Sequence, residues 1–141
     1  MKIAIGSDHG GLTLKTVVLA LLQELGYEGE DVGCFAADSV DYPQYADLVC
    51  EKVAKGQADK GILICGTGIG MSMAANKHAT IRAALCSEQY TARMSREHND
   101  ANVLCMGERV TGPGIAEEIV RTWLSTPFAG GRHLRRINLF N

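Results

Sequence analysis

The chain has 141 residues, of which 46% are hydrophobic and 21% charged, and its formal net charge is −2. This length suits one domain with one hydrophobic core, and the slightly acidic balance argues against a nucleic-acid or membrane-surface binder, which would carry broad positive charge. No apolar run approaches the roughly 18–20 residues that a bilayer-spanning helix needs, and the start MKIAIGSDHGG has no signal-peptide pattern, so we expect a cytoplasmic protein.

Short β-rich runs alternate with helical patterns along the chain. Strands are predicted at residues 2–7, 30–33, 61–65, 81–86 and 102–106. Helices are predicted at residues 12–25, 42–55, 70–77, 88–97 and 113–124, and the final segment, residues 127–141, is predicted to be irregular and basic. Gly26 is the expected end of the first helix, and Asp41 is a candidate cap for the second.

Strands separated by helices of this length predict βαβ units and a mostly parallel sheet. Right-handed crossovers then give a single-domain α/β fold over residues 1–141, a three-layer Rossmann-like sandwich with a five-stranded parallel sheet. Ligands of such sheets bind beyond the carboxyl ends of the strands. We place the polar residues of the site there: Asp8 and His9 after the first strand, residues 65–70 after the third, Arg109 after the fifth, and His98 and Asn99 just before the fifth.

The five cysteines form no C-x-x-C pair; they are Cys34, Cys50, Cys65, Cys86 and Cys105. In a reducing compartment they are expected to be free thiols that mostly pack as small hydrophobic residues. No Cys or His pair has the usual spacing of zinc ligands, so we predict no metal site.

Cys65 stands out because it ends a buried strand and is followed by glycines at alternate positions, in the stretch ILICGTGIGMS at residues 62–72. Glycines allow close backbone approach, and the loop leads into a helix N-terminus whose N–H groups can hold an anion and favour a thiolate. A thiolate beside an anion hole can take a proton from carbon and stabilise the resulting oxyanion. The alternative is a buried thiol that only packs.

Other motifs that would explain the glycines fail on residue identity. Met71 stands where a P-loop needs lysine and where a cysteine-phosphatase loop needs arginine. A dinucleotide fingerprint would follow the first strand rather than a later one.

Two histidines are further candidates for ligand binding. His9, in the glycine-flanked SDHGG, suits a donor to a phosphate or a sugar hydroxyl, while Asp8 before it is also a candidate helix cap. His98 lies in REHND at a helix end, where a solvated, capping histidine is the alternative, and Asn99 beside it could bind a hydroxyl.

The tail GGRHLRRINLF interleaves basic and apolar residues. A disordered tail should not be this apolar. We therefore expect it to dock, with a second subunit as a candidate surface, and to deliver arginines to a phosphate.

Together these motifs resemble the ribose-5-phosphate isomerase type B family, which also holds allose-6-phosphate and galactose-6-phosphate isomerases. The resemblance runs from IAIGSDHGG through the DVG, DYP and CGTGIGMSMAANK segments to REHNDANVLCMGER and the RHLRRI tail. It implies an aldose–ketose isomerase, without metal or redox cofactor, that interconverts ribose 5-phosphate and ribulose 5-phosphate. It also implies homodimers, some of which pair into tetramers, with active sites at the subunit interface.

The resemblance implies a role for each matching residue. Cys65 resembles the base that moves a proton between C1 and C2, and His98 with Asp8 resembles the group that opens the furanose ring. The other implied roles are an anion hole made by Gly66, Thr67, Gly68, Ile69 and Gly70, a sugar contact by Asn99, and phosphate binding by His9, Arg109, Arg132 and Arg136. Some members have serine at the thiol position and a glutamate further along, but this chain keeps Cys65 and has no glutamate in MAANKH.

Three alternatives stay open. One is an isomerase of allose 6-phosphate or galactose 6-phosphate, which would need extra room beyond the phosphate site. Another is a non-catalytic phosphate- or nucleotide-binding module on the same fold. The third is a thiol redox sensor based on Cys65, although the sequence places no resolving cysteine near it.

Overall fold

The computed structural model of the chain describes residues 1–141. The strands are β1 (Lys2–Ser7), β2 (Glu28–Asp31), β3 (Lys60–Cys65), β4 (Ala83–Leu85) and β5 (Val103–Gly107). The helices are α1 (Leu12–Glu24), α2 (Tyr42–Ala54), α3 (Ile69–Ala75), α4 (Gln89–Glu97), α5 (Pro113–Ser125) and α6 (Arg132–Asn138), and a 3₁₀ turn, His9–Gly11, precedes α1.

All five strands are parallel and form one sheet in the order β2-β1-β3-β5-β4. The predicted α/β fold with a five-stranded parallel sheet is therefore confirmed. The predicted strands and helices are present with ends that shift by at most two residues. No helix in the chain is both long and apolar enough to cross a bilayer.

Alternate residues of the strands face two separate hydrophobic cores, as the period of two requires. Ile5 and Ile62 point to the side covered by α1, α4 and α5, where Trp123 is fully buried. Leu63 and Cys65 point to the other side, where α2 and α3 pack. The sheet is thus the middle layer of three.

Two local predictions differ in outcome. Gly26 follows α1 with φ +81°, a left-handed conformation that suits glycine, so the predicted helix end is confirmed. Asp41 does precede α2, but its side chain makes no capping hydrogen bond, so the predicted side-chain cap is wrong. Pro43 in the first turn of α2 needs no N–H partner, which reduces the demand for such a cap.

The prediction of an irregular tail is wrong, because residues 132–138 form α6. His133 and Ile137 lie four residues apart, share one face of this helix, and are both buried against the chain. Three arginines occupy much of the rest of this short helix and obscure its buried face in the sequence. Leu134, Leu139 and Phe140 stay exposed.

Candidate active site

The carboxyl edge of the sheet gathers the first group of candidate residues. This carboxyl-edge cluster consists of Asp8, His9, Cys65, Gly66, Thr67, Gly68, Ile69, Gly70 and Arg109. The 3₁₀ turn packs directly on the loop after β3, since a Cβ added at Gly10 would lie 3.3 Å from the backbone nitrogen of Gly66. The Asp8 N–H also donates to the carbonyl oxygen of Ile64 at 3.2 Å. The structure therefore brings together the predicted residues from β1, β3 and β5.

Cys65 is 5% exposed, and the N–H of Gly68 donates to its sulfur at 3.1 Å. The loop folds back in this way because Gly68 adopts φ +80°, which a glycine tolerates without strain. The hydroxyl oxygen of Thr67 accepts a hydrogen bond from the N–H of Ile69 at 3.2 Å. The sulfur and the Thr67 hydroxyl are thus both held by the backbone of the same loop.

Four other backbone N–H groups of this loop make no hydrogen bond within the chain. They belong to Gly66, Thr67, Gly70 and Met71. Gly70 and Met71 lie in the first turn of α3, where the N–H groups of a helix have no acceptor in a preceding turn. Unpaired N–H groups beside a thiol form the kind of donor set that can hold an oxyanion.

The loop lies so close to β5 that Gly107 cannot carry a side chain without movement. A Cβ added at Gly107 would lie 2.4 Å from the carbonyl carbon of Thr67. The N–H groups of Glu108 and Arg109 donate to the carbonyl oxygens of Cys65 and Gly66 at 2.9 and 3.0 Å. These contacts fix the loop on the end of β5.

Asp8 and His9 each keep one polar atom free of partners in the chain. The Asp8 Oδ1 accepts the N–H of Gly10 at 2.8 Å, so the expected capping role is present on the 3₁₀ turn, while Oδ2 has no partner. The His9 Nδ1 accepts the N–H of Val40 at 3.2 Å, so the neutral ring carries its proton on Nε2. His9 can therefore donate from Nε2 to an anion.

Arg109 places an unpaired positive charge beside the loop. Its guanidinium lies next to Gly66, where an added Cβ would be 3.1 Å from Nη1, and it forms no ion pair with a carboxylate. The neighbouring Glu108 has a different role. Its Oε1 accepts the N–H of Leu14 at 2.7 Å and so ties the start of α1 to the end of β5.

The other thiols differ from Cys65 in their surroundings. Burial, with a smaller contribution from Asp47, raises the pKa of Cys50 to about 12. Burial also raises the pKa of Cys86 and that of Cys105. These three thiols stay protonated at neutral pH and act as packing residues, as predicted for most of the cysteines.

A second group of candidates lies at the amino edge of the sheet. This amino-edge cluster consists of His98, Asn99, Arg132, His133 and Arg136. The rings of His98 and His133 stack with their centroids 4.2 Å apart and their planes 12° apart. The N–H of Ala129 donates to the carbonyl oxygen of Glu97 at 3.0 Å, which ties the tail to the end of α4. Arg132 and Arg136 are exposed, lie one helical turn apart and form no ion pair.

The expectation that His98 and Asn99 lie near the carboxyl edge is wrong. α4 starts at the carboxyl edge after β4 and ends at the amino edge, where the chain enters β5. The carbonyl oxygen of Asn102 accepts the N–H of Gly61, at the start of β3, at 2.9 Å. A strand of five or six residues spans roughly 17–20 Å, so the sheet separates His98 from Cys65 of the same chain.

The largest cavity, of about 850 Å³, also lies on the amino edge. Asn99, Arg82 and Phe140 are among its lining residues, and it does not reach Cys65. No three His, Cys, Asp or Glu side chains anywhere in the chain converge to hold a metal ion.

The chain is similar to known proteins over nearly its whole length. The profile of the ribose/galactose isomerase family matches residues 3–140. The chain belongs to the ribose/galactose isomerase family. It is 52% identical over 136 residues to ribose-5-phosphate isomerase B of Escherichia coli. The aligned residues cover 96% of this chain and 91% of that protein.

Solved structures of type B ribose 5-phosphate isomerases are similar in fold. The structure from Clostridium thermocellum superposes with a TM-score of 0.98 at 55% identity and covers 99% of this chain and 94% of that one. The structure from Trypanosoma brucei superposes with a TM-score of 0.96 at 50% identity and covers 98% and 95%. The resemblance stated from the motifs is thereby confirmed.

In this member of the ribose/galactose isomerase family, several residues that support the two clusters were missed in the sequence. Asp100 adopts φ +45° after His98 and Asn99, and its carboxylate pairs with Arg96 at 2.8 Å and Arg82 at 3.5 Å. The HND turn is thus held by one arginine of α4 and by another that directly precedes β4. Asn or Asp next to a helix end was the only signal in the sequence, because both tolerate positive φ.

Tyr42 is a second residue that was missed. Its ring covers Gly70, where an added Cβ would lie 2.6 Å from the ring carbon Cζ. The tyrosine therefore forms a wall over the start of α3. The DYP motif contains it, but nothing in the spacing of that motif indicates which surface the ring covers.

We expect Gly107→Ala to destabilise the fold by about 1–3 kcal/mol, because the added methyl group forces the loop after β3 to move. The matched control is Gly114→Ala in the first turn of α5, where an added Cβ meets no atom within 4 Å. Alanine is favoured over glycine in a helix by roughly 0.5–1 kcal/mol, so the control should be equally or more stable. Urea unfolding of both variants measures this, and equal stabilities would contradict the close approach.

We expect the pKa of His133 to lie below its ordinary value of 6.5, because burial and the neighbouring His98, Arg132 and Arg136 disfavour the imidazolium. Glu97 opposes this effect more weakly. A lowered pKa means that the unfolded chain binds the proton more readily, so the free energy of unfolding should fall as the pH drops below about 6.5.

An NMR titration of the His133 ring gives its pKa directly. His133→Phe keeps a ring that can stack on His98 but cannot take up a proton. When the pH is lowered from about 7.5 to about 5.5, the free energy of unfolding of this variant should therefore fall less than that of the wild type. A His133 pKa at or above 6.5 would show that these neighbours do not act as described.

Proposed function

We propose that this chain is an aldose–ketose isomerase that interconverts D-ribose 5-phosphate and D-ribulose 5-phosphate through an enediolate. We further propose that each active site combines the carboxyl-edge cluster of one chain with the amino-edge cluster of a second. The observation that carries the proposal is Cys65, a thiol held by a backbone N–H at the start of a loop with four unpaired N–H groups.

Cys65 acts as the base in the proposed reaction. Its thiolate takes the proton from C2 of the open-chain aldose, and the electrons of the C2–H bond form a C1–C2 double bond. The C1 carbonyl oxygen thereby becomes an oxyanion. Return of the proton from the thiol to C1, with transfer of the O2 hydroxyl proton to O1, gives the ketose.

The glycine loop stabilises the charge that this step creates. The free N–H groups of Gly66, Thr67, Gly70 and Met71 lie on the same loop as Cys65, so the oxyanion can be bound next to the carbon that reacts. The Thr67 side chain is fixed by the N–H of Ile69 and forms part of the same wall. Because the loop is held on β5, these donors need little reorganisation during the reaction.

Ring opening needs a proton donor and acceptor that the carboxyl-edge cluster of one chain supplies only in part. Asp8 offers a carboxylate oxygen without a partner. His98, which we assign to the same step, lies at the far edge of its own sheet, with Asn99 beside it as a sugar contact. A second chain that presents its amino edge to this site supplies both residues.

The phosphate group would bind between the two chains. His9 Nε2 and the Arg109 guanidinium come from the carboxyl-edge cluster, and Arg132 and Arg136 come from the amino-edge cluster of the partner. Three unpaired guanidinium groups and a histidine N–H suit a phosphate dianion, since arginine binds phosphate through paired N–H groups.

An apolar surface next to the glycine loop supports the proposed assembly. Ile69, Leu85 and Val110 are exposed and line one cavity of about 200 Å³, and Met73 lies one turn along α3 from Ile69. The tail adds exposed Leu134, Leu139 and Phe140. We propose that residues 127–141 pack on the partner subunit and that the chain forms a homodimer or a dimer of dimers.

A thiol base must stay reduced to work. All five cysteines are free and buried, and free thiols persist in reducing compartments. We therefore propose that the enzyme acts in the cytoplasm.

We expect wild-type protein to isomerise ribose 5-phosphate faster than allose 6-phosphate, with EDTA present, and Cys65→Ala to lose several orders of magnitude in kcat. The loss follows because Cys65 is the only thiol at the start of the loop that carries the unpaired N–H groups. The matched control is Cys86→Ala, another buried thiol at the end of a strand on the same edge, which should keep most of the activity.

Other outcomes assign a different function. Faster turnover of the hexose phosphate would keep the mechanism and change the substrate. If neither sugar reacts, or if Cys65→Ala is fully active, the thiol is not the base and a phosphate-binding module becomes the better explanation.

The shared site makes a second prediction, on mixtures of inactive variants. Cys65→Ala and His98→Asn should each be nearly inactive alone, because in a homodimer of either variant both active sites lack the substituted group. Co-refolded in equal amounts, they should regain about one quarter of wild-type activity, because random pairing makes half of the dimers mixed and each mixed dimer has one intact site. A mixture no more active than the separate variants would indicate that both residues act within one chain.

A further inference from the structure

Lys15 is a charged residue buried to an unusual degree. It is the fourth residue of α1 and is 1% exposed. Its Nζ donates to Asp31 Oδ1 at 2.8 Å and to the carbonyl oxygen of Cys34, and it lies 5.2 Å from the centroid of the Phe35 ring. Lysine is almost never buried unless it is paired, and here every partner belongs to the end of β2 or to the loop that follows it.

These contacts fix the first part of that loop. The same Asp31 oxygen accepts the N–H of Gly33 at 2.9 Å. The Ser7 N–H donates to the Gly33 carbonyl oxygen at 2.8 Å, and the Cys34 N–H donates to the Ser7 carbonyl oxygen at 2.8 Å. Residues 31–34 are therefore held by β1 and by the Lys15 ammonium together.

The last part of the loop has a single side-chain attachment, to His9. The Val40 N–H donates to His9 Nδ1 at 3.2 Å. Between the two attachments, residues 35–39 are exposed and make no backbone–backbone hydrogen bond. The Ala36 carbonyl oxygen accepts only a local hydrogen bond, from the Cys34 thiol at 3.4 Å. His9 and Lys15 belong to one continuous helical segment, the 3₁₀ turn and α1, so this segment holds the loop at both of its ends.

We propose that Lys15 is a positioning residue for His9. By anchoring the start of the loop, Lys15 places the Val40 N–H on His9 Nδ1, which keeps the neutral ring in the form with its proton on Nε2. That proton then points to the anion bound at the carboxyl edge. The inference rests on the proposed function only for the identity of the anion, the phosphate of a sugar phosphate.

Stability alone is a weak reason to bury this lysine. Desolvation of a buried ion pair offsets much of its attraction, and an apolar residue of similar size often stabilises a fold as well. Asp31 keeps 29% of its side chain exposed, so water can solvate it when the lysine is replaced. Lys15→Met therefore removes the anchor while it retains most of the side-chain volume.

Lys52→Met is the matched control. Lys52 also forms an ion pair with a carboxylate of β2, at 2.9 Å to Glu30 Oε1, but it comes from α2 and does not touch the loop. Each variant is made in the full chain with ¹⁵N-labelled histidine. The first measurement is the pair of ring nitrogen shifts of His9, which reports the tautomer directly and does not depend on turnover.

We expect Lys15→Met to shift His9 from the Nε2–H form to a mixture of tautomers, and Lys52→Met to leave His9 as in the wild type. The affinity for inorganic phosphate should fall about tenfold in Lys15→Met, and KM for ribose 5-phosphate should rise by about the same factor with kcat within about threefold, because phosphate binding acts on ground state and transition state alike. Lys15→Arg, which restores the charge, should recover part of the wild-type tautomer population.

An unchanged His9 tautomer in Lys15→Met overturns the proposal, as does an equal effect of Lys52→Met or an unchanged affinity for phosphate. If Lys15→Met does not fold, Asp31→Asn weakens the same anchor from its exposed side and is judged by the same measurements. A wild-type chain that fails to isomerise ribose 5-phosphate would refute the proposed function, and the ring shifts and the affinity for inorganic phosphate would still decide the role of Lys15.

Discussion

The common direction of all five strands determines where each functional side chain of this chain can lie. Every crossover helix returns the chain to the same edge, so residues that follow a strand gather at one edge and residues that precede a strand gather at the other. Cys65 belongs to the first set and His98 to the second. The proposed two-fold dimer would resolve this separation. Two-fold symmetry repeats every contact, so if the carboxyl edge of one chain meets the amino edge of the other, the reverse contact forms as well.

Much of the fold could be predicted from the sequence, because buried parallel strands and amphipathic helices leave strong periodic patterns. The run that ends in Cys65 is a clear example, with its start placed one residue late. The prediction failed at α6, where His133 and Ile137 alone mark the buried face of a seven-residue helix. Two residues are too few to establish a period among three arginines.

Residues of the candidate site could be placed from the sequence when their position follows from the order of strands along the chain. Residues whose position depends on side-chain packing could not. Asp8 and Cys65 follow strands, so the rule for parallel sheets placed them correctly. The same rule, applied to the direction of α4, would have placed His98 at the amino edge. Lys15 gave no signal, because a lysine on a helix is normally solvated, and only the fold shows that Asp31 and the following loop cover it.

The two clusters are held by different means, and this difference bears on how the proposed site works. The carboxyl-edge cluster is fixed by backbone hydrogen bonds and by the close contact of Gly107 with Thr67. The amino-edge cluster is held mainly by side chains, through the two arginines that pair with Asp100 and the stacked rings of His98 and His133. The proposed phosphate site would draw Arg109 of one chain and Arg136 of the partner subunit toward the same group, and like charges repel unless an anion lies between them. A phosphate dianion would satisfy both, so substrate binding and subunit association should stabilise each other.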